Sequence, residues 1–372
     1  MIYLDNAATS FPKPPEVIRA VTGVMEKVPG NPGRGGHSGA VAGGRIVEGC
    51  REALAEYLGC REPERVIFCL NCTDALNTAI RGVLLRGDEV IVSHAEHNAV
   101  MRPLMGYQDR GEIRVKVLSP GADGLISAQA VEEAVTPRTA LCILCHASNV
   151  TGIIQPAGEI ADVCHRYGIP LLLDAAQTAG TEDLAPVGAD LIAMPGHKGL
   201  LGPMGTGALY IGPGIDVRPF REGGTGSLSE SLRQPEMLPD RLESGTMNLP
   251  GIAGLMQGVR FATRHRAEIR EYEHFLAEKM RQGLREMPGI TVFGEKDAPK
   301  TGVVSFRADG QDSGETADQL NREKICVRGG LHCAPSIHAW LDSGGAVRAS
   351  VGPFNTEEEI SAFLETVAHI TK

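Results

Sequence analysis

Between residues 66 and 211 the sequence repeats one unit: a short, nearly continuous apolar run followed by a stretch patterned for a helix. The runs are 66–70, 89–93, 113–118, 139–145, 171–173, 191–193 and 206–211. Helical patterning falls at 73–85, 127–135 and 158–167. Apolar runs without polar alternation suit strands buried on both faces, and strand–helix alternation places such strands in a mainly parallel sheet covered by helices. After residue 250 the texture changes. A long Arg- and Glu-rich helical stretch over 254–287 stops at Pro288-Gly289. Beyond it, short strands (291–293, 302–306, 325–328, 346–351) mix with helices at 316–323 and 356–370. The expected fold is α/β: a large domain over residues 13–252 and a smaller α+β C-terminal domain over 253–372, onto which residues 1–12 pack.

The bulk properties exclude some functions. A formal net charge of -10 with no basic block argues against nucleic acid as a partner. No apolar run approaches a membrane span, and the first residues lack a basic stretch followed by an apolar core, so the chain reads as cytoplasmic. Nine cysteines, an odd number, favour free thiols over a disulfide framework. Cys69-Leu-Asn-Cys72 and Cys142-Ile-Leu-Cys145 have the spacing of metal-binding pairs. They lie in apolar runs, however, where residues three apart point to opposite faces of a strand. No metal is expected, and His94-x-x-His97, after the run at 89–93, is an equally poor pair.

Two of the apolar runs end on chemistry. Pro170-Leu-Leu-Leu-Asp174 closes on a carboxylate, and the run ending at Met194 leads into Pro-Gly-His-Lys198-Gly-Leu-Leu-Gly, a lone lysine among glycines and prolines. Both groups arrive at the carboxyl edge of the sheet, where open α/β folds bind ligands. Alone, each reads more simply as a helix cap or a surface lysine. Together they suit pyridoxal phosphate, whose aldehyde is held by a lysine and whose ring nitrogen pairs with a carboxylate. At other strand ends, Asn71-Cys-Thr-Asp-Ala75 opens a helix whose free N–H groups, with Cys72 and Thr73, suit an anion such as the cofactor phosphate, though alone Thr73-Asp74 reads as a simple N-cap. His97 could lie over the ring, though alone it reads as an ordinary loop histidine, and Gln177, three residues after Asp174, could hydrogen-bond the ring oxygen.

An ordered set of motifs then resembles the class V aminotransferases of pyridoxal-phosphate fold type I, in particular the cysteine desulfurase and selenocysteine lyase branch. The motifs are Tyr3-Leu-Asp-Asn-Ala-Ala-Thr9, Asn31-Pro-Gly-Arg-Gly-Gly-His37, Glu96-His97, His146-Ala-Ser-Asn-Val-Thr-Gly152 and Asp174-Ala-Ala-Gln177. They continue with Gly196-His-Lys-Gly199, Glu243-Ser-Gly-Thr246, Arg328-Gly-Gly-Leu-His-Cys-Ala334 and Val347-Arg-Ala-Ser350. The resemblance implies Lys198 as Schiff-base lysine and proton carrier, Asp174 as the pyridinium partner and His97 stacked on the ring. It implies Thr73 and His197 on the phosphate, joined by Thr246 from a second subunit of a homodimer. Arg348 with Asn149, and Arg328 nearby, are implied for the substrate carboxylate, which a planar guanidinium grips well. Cys333 is implied as the nucleophile that takes sulfur from L-cysteine as a persulfide and leaves L-alanine. Arg328 and His332 are the expected electropositive neighbours of its thiolate. Pro195, Leu331 and Ala40 depart from the branch's usual residues.

Several alternatives stay open at this level. L-selenocysteine is the closest competing substrate. Another class V reaction, such as transamination, would leave Cys333 incidental, and a non-enzymatic sulfur carrier would need none of Lys198, Asp174, His97 and Arg348. A sulfur-acceptor protein is implied. The destinations open to the sulfur are iron–sulfur cluster assembly, a tRNA thiolation pathway and free sulfide.

Overall fold

The computed structural model describes residues 1–32, 35–294 and 297–371; Gly33 and Arg34 of the motif at 31–37 lie outside them. The chain opens with a short strand, β1 (Ile2–Tyr3), and two helices, α1 (Pro15–Lys27) and α2 (Ser38–Tyr57). Seven strands then build one sheet: β2 (Val66–Cys69), β3 (Glu89–Ser93), β4 (Arg114–Leu118), β5 (Thr139–Cys145), β6 (Leu171–Asp174), β7 (Leu191–Pro195) and β8 (Gly207–Ile211). Their order is β2-β8-β7-β6-β5-β3-β4. All neighbours are parallel except β8, which runs against both β2 and β7. Between the strands lie α3 (Cys72–Val83), α4 (Asn98–Asp109), α5 (Ala128–Ala134) and α6 (Ala157–Arg166).

The unbroken apolar runs have a physical explanation in the two faces of this sheet. Leu171 and Leu173 of β6 pack with α2 and α6 on one side, whereas Leu172 packs with α3 and α4 on the other. Ile192 and Met194 of β7 divide from Leu191 and Ala193 in the same way. Each such leucine contributes about 1.5–3 kcal/mol of burial, so a polar residue at either phase of the run would cost stability.

Helix α7 (Leu249–Arg285) leaves the first core and enters a second. Its early residues, such as Ile252 and Val259, belong to the large-sheet core; Leu276, Met280 and Leu284 belong to the other. The expected domain boundary at residues 252–253 falls inside this helix. The second core covers an antiparallel sheet made of β9 (Ile290–Val292), β10 (Val303–Ala308), β12 (Arg328–Gly330) and β13 (Ala346–Ser350), in the order β12-β13-β10-β9. Helices α8 (Ser313–Arg322), α9 (Pro335–Trp340) and α10 (Glu357–Ile370) complete this half. The single strand expected at 325–328 is two: β11 (Ile325–Cys326) pairs in parallel with β1, and β12 pairs with β13. The N-terminal residues thus pack on the C-terminal half, and Asp5 bridges to Ser350 at the end of β13.

The nine cysteines are all free. Cys142 and Cys145 are both buried, and Cys333 is the exposed one. Among the described residues no cluster of His, Cys, Asp and Glu has the size of a metal site, and no helix is long and apolar enough to cross a membrane.

Candidate active site

Because β2, β3, β5, β6 and β7 run the same way, their carboxyl ends meet along one edge of the sheet. A cavity of about 120 Å³ opens there. It is lined by Cys72 and Thr73 from the start of α3, His97 from the start of α4, Asn149 after β5, Asp174 and Gln177 after β6, and His197 and Lys198 after β7. Eight residues singled out from the sequence therefore share one cavity.

Lys198 lies on a turn with little freedom. The His197 carbonyl accepts from Ser10 N–H (3.0 Å), the Thr9 hydroxyl (3.1 Å) and Lys13 Nζ (2.9 Å), and the Lys198 carbonyl accepts from the Ser10 hydroxyl (2.9 Å). Close packing locks the other side. A Cβ on Gly199 would stand 2.3 Å from the Ala179 carbonyl oxygen, and one on Gly180 (φ +101°) 2.1 Å from that of Gly199. Burial, chiefly, lowers the Lys198 pKa below the ordinary lysine range, which favours the neutral amine.

Asp174 is buried at the end of β6. Its Oδ1 accepts from the Ala176 N–H (2.9 Å) and the Cys72 thiol (3.6 Å); its Oδ2 has no hydrogen bond among the described residues. Burial raises the Cys72 thiol well above its usual pKa, so it stays protonated and donates. His97 caps α4 by accepting the Ala99 N–H on Nδ1 (3.0 Å), which puts its proton on Nε2, and burial lowers its pKa. The His197 ring, brought to a pKa of about 4 by burial, has a buried Nδ1 with no partner. At the start of α3 the Asn71 side chain caps the Asp74 N–H (2.9 Å), and helix geometry gives the first-turn amides of Cys72 and Thr73 no internal acceptor. Gln177 donates to the Ala7 carbonyl (3.1 Å).

Beside the cavity stands a second group of the expected residues. Arg348 on β13 is buried, and its Nη1 donates to the Asn149 carbonyl (3.2 Å). Its Nη2 donates to Asp5 Oδ1 (3.0 Å), while its Nε is buried without a partner. The loop after β12 carries Cys333. His332 (φ +49°) and Cys333 (φ +57°) are both left-handed, a conformation that costs non-glycine residues of order 1–3 kcal/mol each and persists only where surrounding contacts enforce it. Two bonds do so: Asn98 N–H donates to the Cys333 carbonyl (2.7 Å), and Asn149 Nδ2 to the His332 carbonyl (2.7 Å). The Cys333 loop is thereby tied to the residue after His97 and to the residue that holds Arg348.

Three of the expected residues do not line this cavity. His332 does not supply positive charge beside Cys333: burial, reinforced by Arg348, brings its pKa to about 3, so the ring is neutral and donates from Nε2 to the Ala346 carbonyl (3.0 Å). Arg328 turns to Asp5 Oδ2 (3.0 and 3.3 Å) and does not line the cavity. Thr246 is exposed and lines a separate recess with Gly205 and Arg221. Its segment is fixed by Glu243, which forms a buried bidentate pair with Arg51 (2.8 and 2.9 Å) and accepts the Phe68 N–H (2.7 Å).

Comparison with known proteins gives the arrangement a family. The family model for aminotransferase class-V matches residues 2–363, nearly the whole chain. The chain belongs to the class-V aminotransferases. Among similar proteins, one of Methanothermobacter thermautotrophicus described as "Probable cysteine desulfurase" is 34% identical, over 99% of this chain and 94% of its own. Another so described, from Halalkalibacterium halodurans, is 32% identical over 98% of this chain and 92% of its own. The apo structure of a cysteine desulfurase from Thermococcus onnurineus NA1 superposes with a TM-score of 0.94 at 29% identity, covering 100% of this chain and 94% of that one. Within the family the chain falls on the cysteine desulfurase branch.

The structure also adds residues that motif reading passed over. Ser10 and Lys13 clamp the lysine turn, Asp5 meets Arg348, and the buried Glu96 joins β3 to β5. Only Asp5 and Glu96 lay within the quoted motifs. Ser10 and Lys13 carry no local signal, because the lysine turn that they hold lies more than 180 residues away.

Proposed function

We propose that the chain is a pyridoxal-phosphate-dependent cysteine desulfurase that converts L-cysteine into L-alanine and takes the sulfur as a persulfide on Cys333. One observation carries the reading. Lys198 and Asp174 share a buried cavity with His97, and the only exposed cysteine of the nine sits on a loop tied to that cavity's rim.

The unsatisfied groups fit the cofactor. The buried, unpartnered His197 Nδ1, the open amides of Cys72 and Thr73 and the Thr73 hydroxyl suit its phosphate. Asp174 suits its ring nitrogen, His97 its ring face, Gln177 its phenolic oxygen and Lys198 its aldehyde. When bound, pyridoxal phosphate supplies an electron sink joined to the substrate's amino nitrogen, which acidifies Cα. The chain's residues do the rest. Arg348, with three N–H donors not used by Asp5 or Asn149, receives the substrate carboxylate beside Asn149. Lys198, whose pKa burial lowers, takes the Cα proton on Nζ and later returns it. The Cys333 thiolate attacks the substrate sulfur. The Sγ–S bond forms, the Cβ–S bond breaks with its electron pair left on carbon, and protonation of that carbon gives alanine. The exposure of Cys333 suits passage of the sulfur to an acceptor protein, and that of Thr246 suits completion of the site by a second copy.

Lys198→Ala and Cys333→Ala test these assignments with L-cysteine and L-selenocysteine as substrates. Lys198→Ala is expected to lose turnover of both. Cys333→Ala is expected to bind the cofactor normally and lose alanine production from L-cysteine. If Cys333→Ala desulfurates L-cysteine at the wild-type rate, the nucleophile is misassigned. Retained activity on L-selenocysteine alone would make selenium the natural leaving group.

A further inference from the structure

The Asp5 carboxylate sits between two arginines. Its Oδ1 accepts from Arg348 Nη2 (3.0 Å), and its Oδ2 from Arg328 Nη2 (3.0 Å) and Nε (3.3 Å). The backbone beneath it is pinned on two sides. Leu4 N–H donates to the Cys326 carbonyl (2.9 Å), and Ser350 N–H donates to the Leu4 carbonyl (2.7 Å). Asp5 is therefore a fixed point from which a buried guanidinium is oriented, with Arg328 holding the carboxylate from its solvent side (side-chain exposure 52% for Arg328, 4% for Arg348).

The orientation has a consequence for ligands. A guanidinium grips a carboxylate through two parallel N–H groups. Asn149 takes one hydrogen of Nη1 and Asp5 one of Nη2, so three N–H groups remain: the buried, unpartnered Nε and one on each Nη. Without Asp5 the guanidinium would keep a single acceptor, the Asn149 carbonyl, and could turn about the Cδ–Nε bond.

We propose that Asp5 is a positioning residue that fixes the Arg348 guanidinium so that its remaining N–H groups, Nε among them, receive the α-carboxylate of an amino-acid ligand, with Arg328 acting through Asp5 and not on the ligand. This rests on the desulfurase reading only in taking Arg348 as the carboxylate receptor. A charge-assisted hydrogen bond contributes about 1.5–3 kcal/mol, so misplacing the fork should weaken a carboxylate ligand about ten- to a hundredfold.

The test is a spectral titration of the holoenzyme with L-alanine and with L-alaninamide, which lacks the carboxylate. Asp5→Ala is expected to weaken L-alanine at least tenfold and leave L-alaninamide within about twofold. Asp5→Asn, whose amide oxygen can still accept from Nη2, is expected to recover most of the loss. Equal weakening of both ligands by Asp5→Ala would reduce Asp5 to a structural tie, and unchanged L-alanine binding would also overturn the proposal. Neither titration requires sulfur chemistry. A wild-type protein that makes no alanine from L-cysteine, yet shows this carboxylate-specific pattern, would sink the desulfurase reading and leave the role of Asp5 standing.

Discussion

Glu96 offers a quantitative test of how the site's edge is built. Its side chain is 1% exposed, and its Oε1 accepts both the Ser93 hydroxyl (2.6 Å) and the Cys145 N–H (2.6 Å), joining the ends of β3 and β5 one residue before His97. Its Oε2 is buried with no partner. Burial, with help from the Asp174 charge, raises its pKa from 4.5 to about 8. Above pH 4.5 the unfolded chain releases this proton while the folded chain keeps it. The carboxyl's stability contribution is therefore full below pH 4.5 and is lost as pH rises towards 8. Between pH 5 and pH 7.5 the loss is about 3 kcal/mol, at roughly 1.4 kcal/mol per fully developed pH unit. For 372 residues the unfolding entropy is about 0.8 kcal/mol per degree, so the loss corresponds to about 4 °C in Tm. Glu96→Gln keeps the acceptor oxygen and removes the titration. Thermal unfolding of both proteins, loaded with cofactor, should show the variant's Tm rising relative to wild type by about 4 °C across that window. A difference that stays flat, or that falls with pH, would refute a protonated Glu96 and the burial argument behind it.

Other outcomes follow from the same geometry. His332, with its pKa at about 3, adds stability that is complete above pH 6.5 and is lost as pH falls towards 3. His332→Gln should remove about 2 kcal/mol of the loss between pH 6.5 and 4.5, seen as a shallower acid limb in Tm; parallel limbs would mean the imidazole is charged after all. Gly199→Ala puts a methyl group against the Ala179 carbonyl and must move the lysine turn. It is expected to lower cofactor occupancy measured by visible absorbance, and full occupancy would show that the turn yields without cost.

The sheet was legible because parallel strands buried on both faces write their signature locally. The runs at 89–93 and 139–145 coincide with β3 and β5 to the residue. Helices α1, α2 and α4 gave weaker signals. Helix α2 contains Gly39, Gly43, Gly44 and Gly49, each costing a free helix about 1 kcal/mol relative to alanine, and α4 contains Pro103. They hold because tertiary packing outweighs propensity: Gly43 lies under Leu249 and Pro32, where a side chain would crowd. The split of 325–328 was hidden for a related reason, since nothing local tells Ile325 to pair with β1 and Arg328 with β13. Within the site, residues delivered by strand ends could be read in order along the chain, Asp174 and Lys198 above all. The partners of Arg348 and of the lysine turn could not. Asp5 lies 343 residues from Arg348, and their meeting depends on β1 pairing with the far half of the chain. The neutral state of His332 was also out of reach, because burial, not sequence neighbourhood, sets it.

The most direct test is a single turnover. Purified protein loaded with pyridoxal phosphate is given L-cysteine without reductant, and alanine and the masses of the cysteine-bearing peptides are measured together. The account predicts alanine equal in amount to active sites and a one-sulfur mass gain confined to the Cys333 peptide. Alanine with no sulfur on Cys333, or a keto acid in place of alanine, would contradict it.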